Sequence, residues 1–296
     1  MRNAARNPLT VDGDHALLKF TSFNELIEHN ENGKDYRSRH MDSEFYGAKS
    51  MPEAYAKAYQ GLPREGITAL NLAEKNVQQM DRELQRPNFH PYNDVSGCDV
   101  DVALYLTGEP ECMVNYHLED EPKHDKVVTI VASVSYHCGI SKKAIKTQGQ
   151  ALMALMEAVE TAGLQTEIWI DLTTCEGLDF DTKLPRKYTK SGRVAVRLKA
   201  PGEMFDAGMF MYALTHDSFL RSIIFNTMHY YPEEFRNAIG VTPSGGYGSA
   251  VPNEFHMEDF PEGAVHIPAI SKDADAGKIV HEKLKELDLI KAANAA

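Results

Sequence analysis

The amino-acid sequence predicts an α/β fold: a central, mostly parallel sheet flanked by helices, with an N-terminal helical region over residues 1–90 and the sheet core over 91–296. Three observations carry this. Val127–Val134 (VVTIVASV) is nearly uniformly apolar and rich in β-branched residues, as in a strand covered on both faces. Ser141–Ala162 places Ile145, Leu152, Leu155, Met156 and Val159 at helical spacing, and Gly163 is suited to end that helix. Thr166–Leu172 (TEIWIDL) then reads as a second strand, which makes a βαβ unit with a parallel crossover.

The flanking elements follow in chain order. Residues 1–19 are polar and read as a loose arm. Thr21–His29 reads as a capped helix with Phe23, Leu26 and Ile27 on one face. Ser50 and Glu53 have the spacing of a capping box, with Pro52 in the first turn, so a helix is expected over Pro52–Tyr59, stopped by Gly61. Another spans about residues 65–85 and ends before Pro87. Val100–Leu106 (VDVALYL) reads as a strand whose antiparallel partner is Cys112–His117. Arg193–Lys199 alternates strictly, so Val194, Val196 and Leu198 are expected inside and Arg193, Arg197 and Lys199 outside. Phe205–Tyr230 reads as one or two helices broken near His216. Residues 232–268 read as a Gly/Pro-rich excursion, and Lys278–Ala293 as a closing helix.

Composition narrows the function classes. The chain has 296 residues, 43% of them hydrophobic and 25% charged, which fits neither disorder nor low complexity. Four cysteines without close pairs do not make a disulfide framework. No run is long and apolar enough to span a bilayer, and the first residues lack the apolar stretch of a secretory signal; a soluble protein of the cytoplasm is expected. The 31 basic and 43 acidic residues give a net charge of −12, which argues against a basic coat over the whole surface.

That charge is segregated. Residues 94–125 hold nine acids against Lys123, and residues 232–275 hold eight against Arg236 and Lys272. Between them, residues 183–199 hold seven basic groups and no acid: Lys183, Arg186, Lys187, Lys190, Arg193, Arg197 and Lys199, with Tyr188 among them. Lys142, Lys143 and Lys146 open the long helix, where the macrodipole disfavours cations and free amides attract anions. Loop, strand face and helix start together suit a phosphate backbone, with Tyr188 as a stacking platform. The alternative is a solvated hairpin whose charges pair with the acidic segments.

Other motifs are weaker. Val131-Ala-Ser133-Val-Ser135 resembles the metal-ion-dependent adhesion motif Asp-x-Ser-x-Ser, but valine stands where the central carboxylate belongs. Asp99 and Asp101 have the spacing of a nucleotidyltransferase pair, with Asp171 as a third carboxylate, but lack the Gly-Ser helix start. The nearest pairs for zinc, His137-Cys138 and Cys112 with His117, form no zinc motif, and Gly245–Gly248 lacks the lysine of a phosphate loop. No metal or cofactor is expected.

The stretches VSGCDVDVALYLTGEPECM, VVTIVASVSYHCGISKKAIKTQGQALMALMEAVETAGLQTEIWI and LTHDSFLRSIIFNTMHYYPEEF resemble tailed-bacteriophage proteins with a degenerate von Willebrand factor A-like, Rossmann-like core. More narrowly, the chain is similar to the Drc-like single-stranded-DNA-binding RNA polymerase cofactors of phages that carry a giant virion RNA polymerase. The resemblance implies a non-enzymatic protein that binds single-stranded DNA and assists a phage RNA polymerase in the host cytoplasm. It supplies no residue-level binding motif. Two alternatives remain at this point: an interaction module that contacts a phage ATPase through residues 133–140, and a nucleotidyltransferase-like enzyme using Asp99, Asp101 and Asp171. A homo-oligomer is also compatible with the apolar helices near Ile145 and over Met209–Phe225.

Overall fold

The computed structural model describes residues 7–36, 41–84, 89–118, 127–136, 139–161, 163–179, 181–242 and 246–286. The chain does not begin as a loose arm. Residues 7–20 form β1 (Leu9–Asp12) and β2 (His15–Phe20), and β2 pairs in parallel with a central strand, His15 opposite Ser191 and Phe20 opposite Val196. HALLKF lacks an outward polar face because both of its faces are covered. Ala16, Leu18 and Phe20 enter the main core, and Leu17 enters a second apolar cluster across the sheet.

Helices follow: α1 (Phe23–Asn32), α2 (Ser43–Tyr46), α3 (Met51–Gln60) and α4 (Pro63–Leu84). The caps form as expected. Ser22 accepts from the Glu25 N–H and Ser50 from the Glu53 N–H, while Glu53 reaches back to the Lys49 N–H. Gly66 of α4 lies so close to Ala207 and Gly208 that a Cβ there would meet backbone at 2.6 Å, so α4 touches residues 207–208 main chain to main chain. Residues 1–90 are therefore not a separate helical region. Leu26, Ala54 and Ala69 share one core with Ile130 and Val194.

The stretch 89–118 forms a small antiparallel sheet in the order β3 (Phe89–Asp94), β5 (Met113–Leu118), β4 (Asp99–Val100), with helix α5 (Val102–Thr107) between β4 and β5. The strand expected over Val100–Leu106 is thus mostly a helix. Asp101 decides it, because its carboxylate accepts from the Ala103 and Leu104 N–H groups, and Gly108 (φ 79°) closes the turn.

The main sheet contains β6 (Val127–Ser133), β7 (Gln165–Cys175) and β8 (Ser191–Lys199), with helix α6 (Lys142–Thr161) between β6 and β7. Downstream come α7 (Ala207–Thr215), a π-helical turn over Phe219–Ile224 that runs into α8 (Phe225–Thr227), and α9 (Glu233–Ile239). The helix break near His216 is where the sequence puts it. Strands β9 (Ser249–Ala250) and β10 (Val265–Ile267) and helix α10 (Lys278–Glu286) complete the chain. Residues 232–268 thus contribute a helix and two strands rather than an irregular excursion alone.

The strand order is β1-β2-β8-β7-β6-β10, with β9 beside β7. Of the four joints along β2-β8-β7-β6-β10, three are parallel and only β8-β7 is antiparallel. The helices cover one face, where Ile130, Ile170 and Val196 lie. The other face, with Val131, Trp169 and Ala195, is covered by Met257, Phe260 and Ala264. The apolar residues of α7 and the π-helical turn, among them Phe210, Met211 and Phe219, are buried within this chain. Among the described residues, no helix is long and apolar enough to cross a membrane. Cys98, Cys112 and Cys175 are free thiols.

Candidate functional site

The expected basic strand face is not a surface. β8 is covered on both sides because residues 255–264 lie over the face that the alternation assigns to solvent. Arg193 is 1% exposed. Its guanidinium donates to Thr173 Oγ1 (2.8 Å), the carbonyls of His256 (2.7 Å) and Phe255, and the Asp259 carboxylate, and lies 3.4 Å from Asp171 Oδ2. Lys199 is 4% exposed and pairs with Glu160 at 2.7 Å. Arg197 is half-buried, bonded to the Thr21 carbonyl and 3.4 Å from Glu167.

The helix start is also committed. Lys142 pairs with Asp217 at 2.6 Å and Lys146 with Glu65 at 2.7 Å, while Lys143 is exposed. The anion at this N-terminus is the protein's own. Asp273 accepts from the Ser141 N–H at 2.9 Å, and that bond holds its carboxyl below the usual range. Lys190 lies 3.6 Å from both Asp14 and Glu234. Pairing with the acidic 232–275 segment, the alternative left open by the sequence, is therefore realised at Lys190 and Arg193.

What stands outward is the loop between β7 and β8. Lys183, Arg186, Lys187 and Tyr188 are exposed, Tyr188 at 81%. The loop is internally braced. Asp179 accepts from the N–H groups of Asp181 (3.1 Å) and Thr182 (2.9 Å), bonds that hold its carboxyl low, and Leu178 bridges Pro185. Arg186 donates from Nε to the Leu178 carbonyl at 2.9 Å. Lys183 and Tyr188 have left-handed backbones (φ 56° and 65°), a conformation that this bracing has to maintain. The Lys187 ammonium lies 5.0 Å from the Tyr188 ring centre.

Beside this loop opens a cleft of about 760 Å³ at the carboxyl ends of the parallel strands β10, β6 and β7, on the helix-covered side. Ligands of open α/β sheets bind at such an edge. Ser135, Tyr136 and Thr174 line it from the strand ends, Leu220 and Phe225 from the π-helical turn and α8, and Tyr247 to Ala250 from the segment before β10. Gly248 (φ 69°) lets that segment close in, since a Cβ there would meet the Cys175 carbonyl oxygen at 2.7 Å. Thr174 is 2% exposed and its hydroxyl has no hydrogen-bond partner; the buried Tyr136 hydroxyl has none either. Leaving such a group unmet costs about 1–3 kcal/mol.

The opposite face of the sheet holds a polar cluster with no sequence motif. His15 lies between Ser191 (Nδ1 to Oγ, 2.9 Å) and Asp259 (Nε2 to Oδ2, 3.0 Å). These residue types are those of a hydrolase relay. Here Ser191 and His15 are 2% and 5% exposed, and Arg193 also holds the carboxylate, so the cluster ties β2, β8 and residues 255–260 together. Burial lowers the His15 pKa despite the Asp259 charge. Burial opposes ionisation of Asp259, but its bonds to His15 and the Arg193 charge outweigh it and hold the carboxyl low.

The three carboxylates of the enzymatic reading do not converge. Asp101 caps α5 in the small sheet, whereas Asp171 is buried beside Arg193, with His266 4.0 Å from its Oδ1. Among the described residues, no three His, Cys, Asp or Glu side chains are grouped to hold a metal ion. Ser133 and Ser135 turn to backbone, Ser135 Oγ accepting from the Thr173 N–H at 3.1 Å. His137, Cys138 and Gly245 lie outside the described residues, as do residues 119–125 of the acidic block and 287–293 of the expected closing helix.

A family model described as Domain of unknown function (DUF7192) matches residues 4–291, and the chain belongs to that family. No curated protein and no solved structure matches it.

Proposed function

We propose that this member of the DUF7192 family binds single-stranded nucleic acid through the β7–β8 loop, with Lys183, Arg186 and Lys187 on phosphates and Tyr188 stacking on a base. One observation carries this: of the eleven candidates, these four stand together, exposed, on one braced loop, whereas Lys190, Arg193, Arg197 and Lys199 are buried or half-buried and Lys142, Lys143 and Lys146 lie apart at the start of α6. A pre-ordered loop loses little entropy on binding. Stacking on an exposed ring is worth about 1–3 kcal/mol per base and tolerates any sequence. As the resemblance to bacteriophage RNA polymerase cofactors implies, the bound strand is single-stranded DNA presented to a phage RNA polymerase in the host cytoplasm.

Fluorescence anisotropy with the variant Lys183→Glu/Arg186→Glu/Lys187→Glu tests the loop. Each phosphate contact adds about 0.7 to the salt slope for single strands, so the slope falls by about 2 along with the affinity. A folded triple variant with unchanged affinity and slope refutes the assignment.

A second reading is favoured by one surface. Val95, Val102, Tyr105 and Leu106 are more than 60% exposed around α5, among Asp94, Asp99, Asp101 and Glu109. An acidic, apolar patch of this kind suits protein contact, at a different place from residues 133–140, where the interaction-module alternative puts its phage ATPase.

A further inference from the structure

The geometry points to the cleft beside the β7–β8 loop as the seat of one nucleoside monophosphate unit, with the base unstacked inside and its phosphate at Lys183. This rests on the loop reading above and extends it from phosphate tracking to base capture. The first ground is place and size. The cleft lies at the carboxyl ends of three parallel strands and, at about 760 Å³, falls within the roughly 300–1,000 Å³ of small-molecule sites.

The second ground is unmet chemistry. Thr174 is 98% buried, lines the cleft, and its hydroxyl has no partner; the buried hydroxyl of Tyr136, which also lines the cleft, is in the same state. Buried polar groups in a folded chain are nearly always bonded, so two unbonded hydroxyls on side chains that line one cavity favour a ligand that carries donors or acceptors.

The third ground selects the ligand. The walls are apolar and partly planar: Leu172, Leu220 and Ile270 stand with the Phe225 and Tyr247 rings, which stack with centres 3.4 Å apart. Among the described residues of the lining, Lys183, which is exposed, is the one that carries a charge. The complement is a flat, neutral ring with polar edges on an anionic handle. A fatty acid would satisfy the walls and the lysine but leave both hydroxyls unmet. A sugar phosphate would meet the hydroxyls but not the walls. A nucleobase on its phosphate meets all three. The π-helical turn, in which the Phe225 N–H bonds to the Leu220 carbonyl, sets two of these wall residues, and such turns recur at functional sites.

Calorimetry on the full chain tests this with adenosine, guanosine, cytidine, uridine and thymidine 5′-monophosphates, a thymidine oligonucleotide, and palmitate as the apolar anion. At least one monophosphate is expected to bind. Thr174→Val, which keeps the volume, should weaken it about fivefold while leaving the melting temperature unchanged or higher, because it removes an unmet group. Lys183→Gln should weaken the monophosphate but not the parent nucleoside. If Thr174→Val weakens the oligonucleotide equally, the unit belongs to a strand; if only the monophosphate is affected, the ligand is a free nucleotide. Oligonucleotide binding with no monophosphate binding overturns the cleft assignment and leaves the loop reading intact. Monophosphate binding with no oligonucleotide binding does the reverse. Binding of palmitate alone overturns the base assignment.

Discussion

Replacing Arg193 by methionine is expected to lower the unfolding free energy by about 3–5 kcal/mol, the usual range for a buried ion pair that loses one partner. Methionine roughly keeps the volume, so the loss reports charge rather than a cavity. Arg193 is 1% exposed and faces two carboxylates, Asp171 and Asp259, which themselves are 2% and 11% exposed. Without the guanidinium both lie in low dielectric beside histidines that burial keeps neutral. Two main-chain carbonyls, of Phe255 and His256, also lose their donor. Urea denaturation measures the loss. Adding Asp171→Asn and Asp259→Asn to the methionine variant should restore part of it, since the uncompensated charges are then gone. If Arg193→Met changes stability by less than about 1 kcal/mol, the cluster does not hold the sheet to residues 255–260 as described.

Acid should destabilise the protein well above the range in which carboxylates titrate. His15, His29, His216 and His266 all have pKa values below the ordinary 6.5, with burial the largest cause in each. For His15 and His266 a carboxylate opposes the shift without reversing it. In the unfolded chain these four take up protons near pH 6.5, while in the folded chain they do not until the pH is lower. The unfolded state therefore binds more protons in that window, and stability rises with pH. Their contribution is fully present above 6.5 and is lost as pH falls below it. Asp259, with its lowered carboxyl, adds a further loss below 3.8. Urea midpoints between pH 8 and 4.5 should be flat on the alkaline side and fall steadily from about 6.5 downward. A midpoint constant to pH 5 would show that these histidines titrate alike in both states.

The readable part of the fold was the part with period. The β6-α6-β7 unit, the Ser50 cap, a capped helix near residues 21–29 and the break at His216 follow from spacing and local hydrogen-bond chemistry, and the structure has them. Two short segments defeated periodicity. VALYL has the composition of a strand, and only the Asp101 carboxylate, satisfying two N–H groups, makes it a turn of helix. HALLKF looks like the end of a polar arm because its reason to be a strand lies at Ser191–Val196, far along the chain.

The site was legible in outline and misjudged in depth. Alternation correctly places Val194, Val196 and Leu198 in the core, but it assigns the other face to solvent by default. Nothing in the run Arg193–Lys199 announces that Phe260 and its neighbours cover that face. The acidic partners were visible as a block, and their pairing with Lys190 and Arg193 was the alternative that charge segregation left open. The cleft had no sequence signature, since Tyr136, Thr174, Phe225 and Tyr247 come from four separate segments. An apolar strand ending in Leu-Thr-Thr-Cys does carry one hint: hydroxyl residues at the carboxyl end of a buried strand sit where α/β sheets present ligands.

The central claim is that an acidic protein binds single strands through the acid-free part of the β7–β8 loop, residues 183–188, and the wild-type chain tests it directly. Anisotropy of a labelled single-stranded DNA and of its duplex, each titrated at 50 mM and 200 mM salt, reads both preference and contact number. The account predicts tighter binding of the single strand, with a salt slope of about −2, the value for three phosphate contacts. Equal or tighter binding of the duplex, or no binding of either at 50 mM salt, would contradict it.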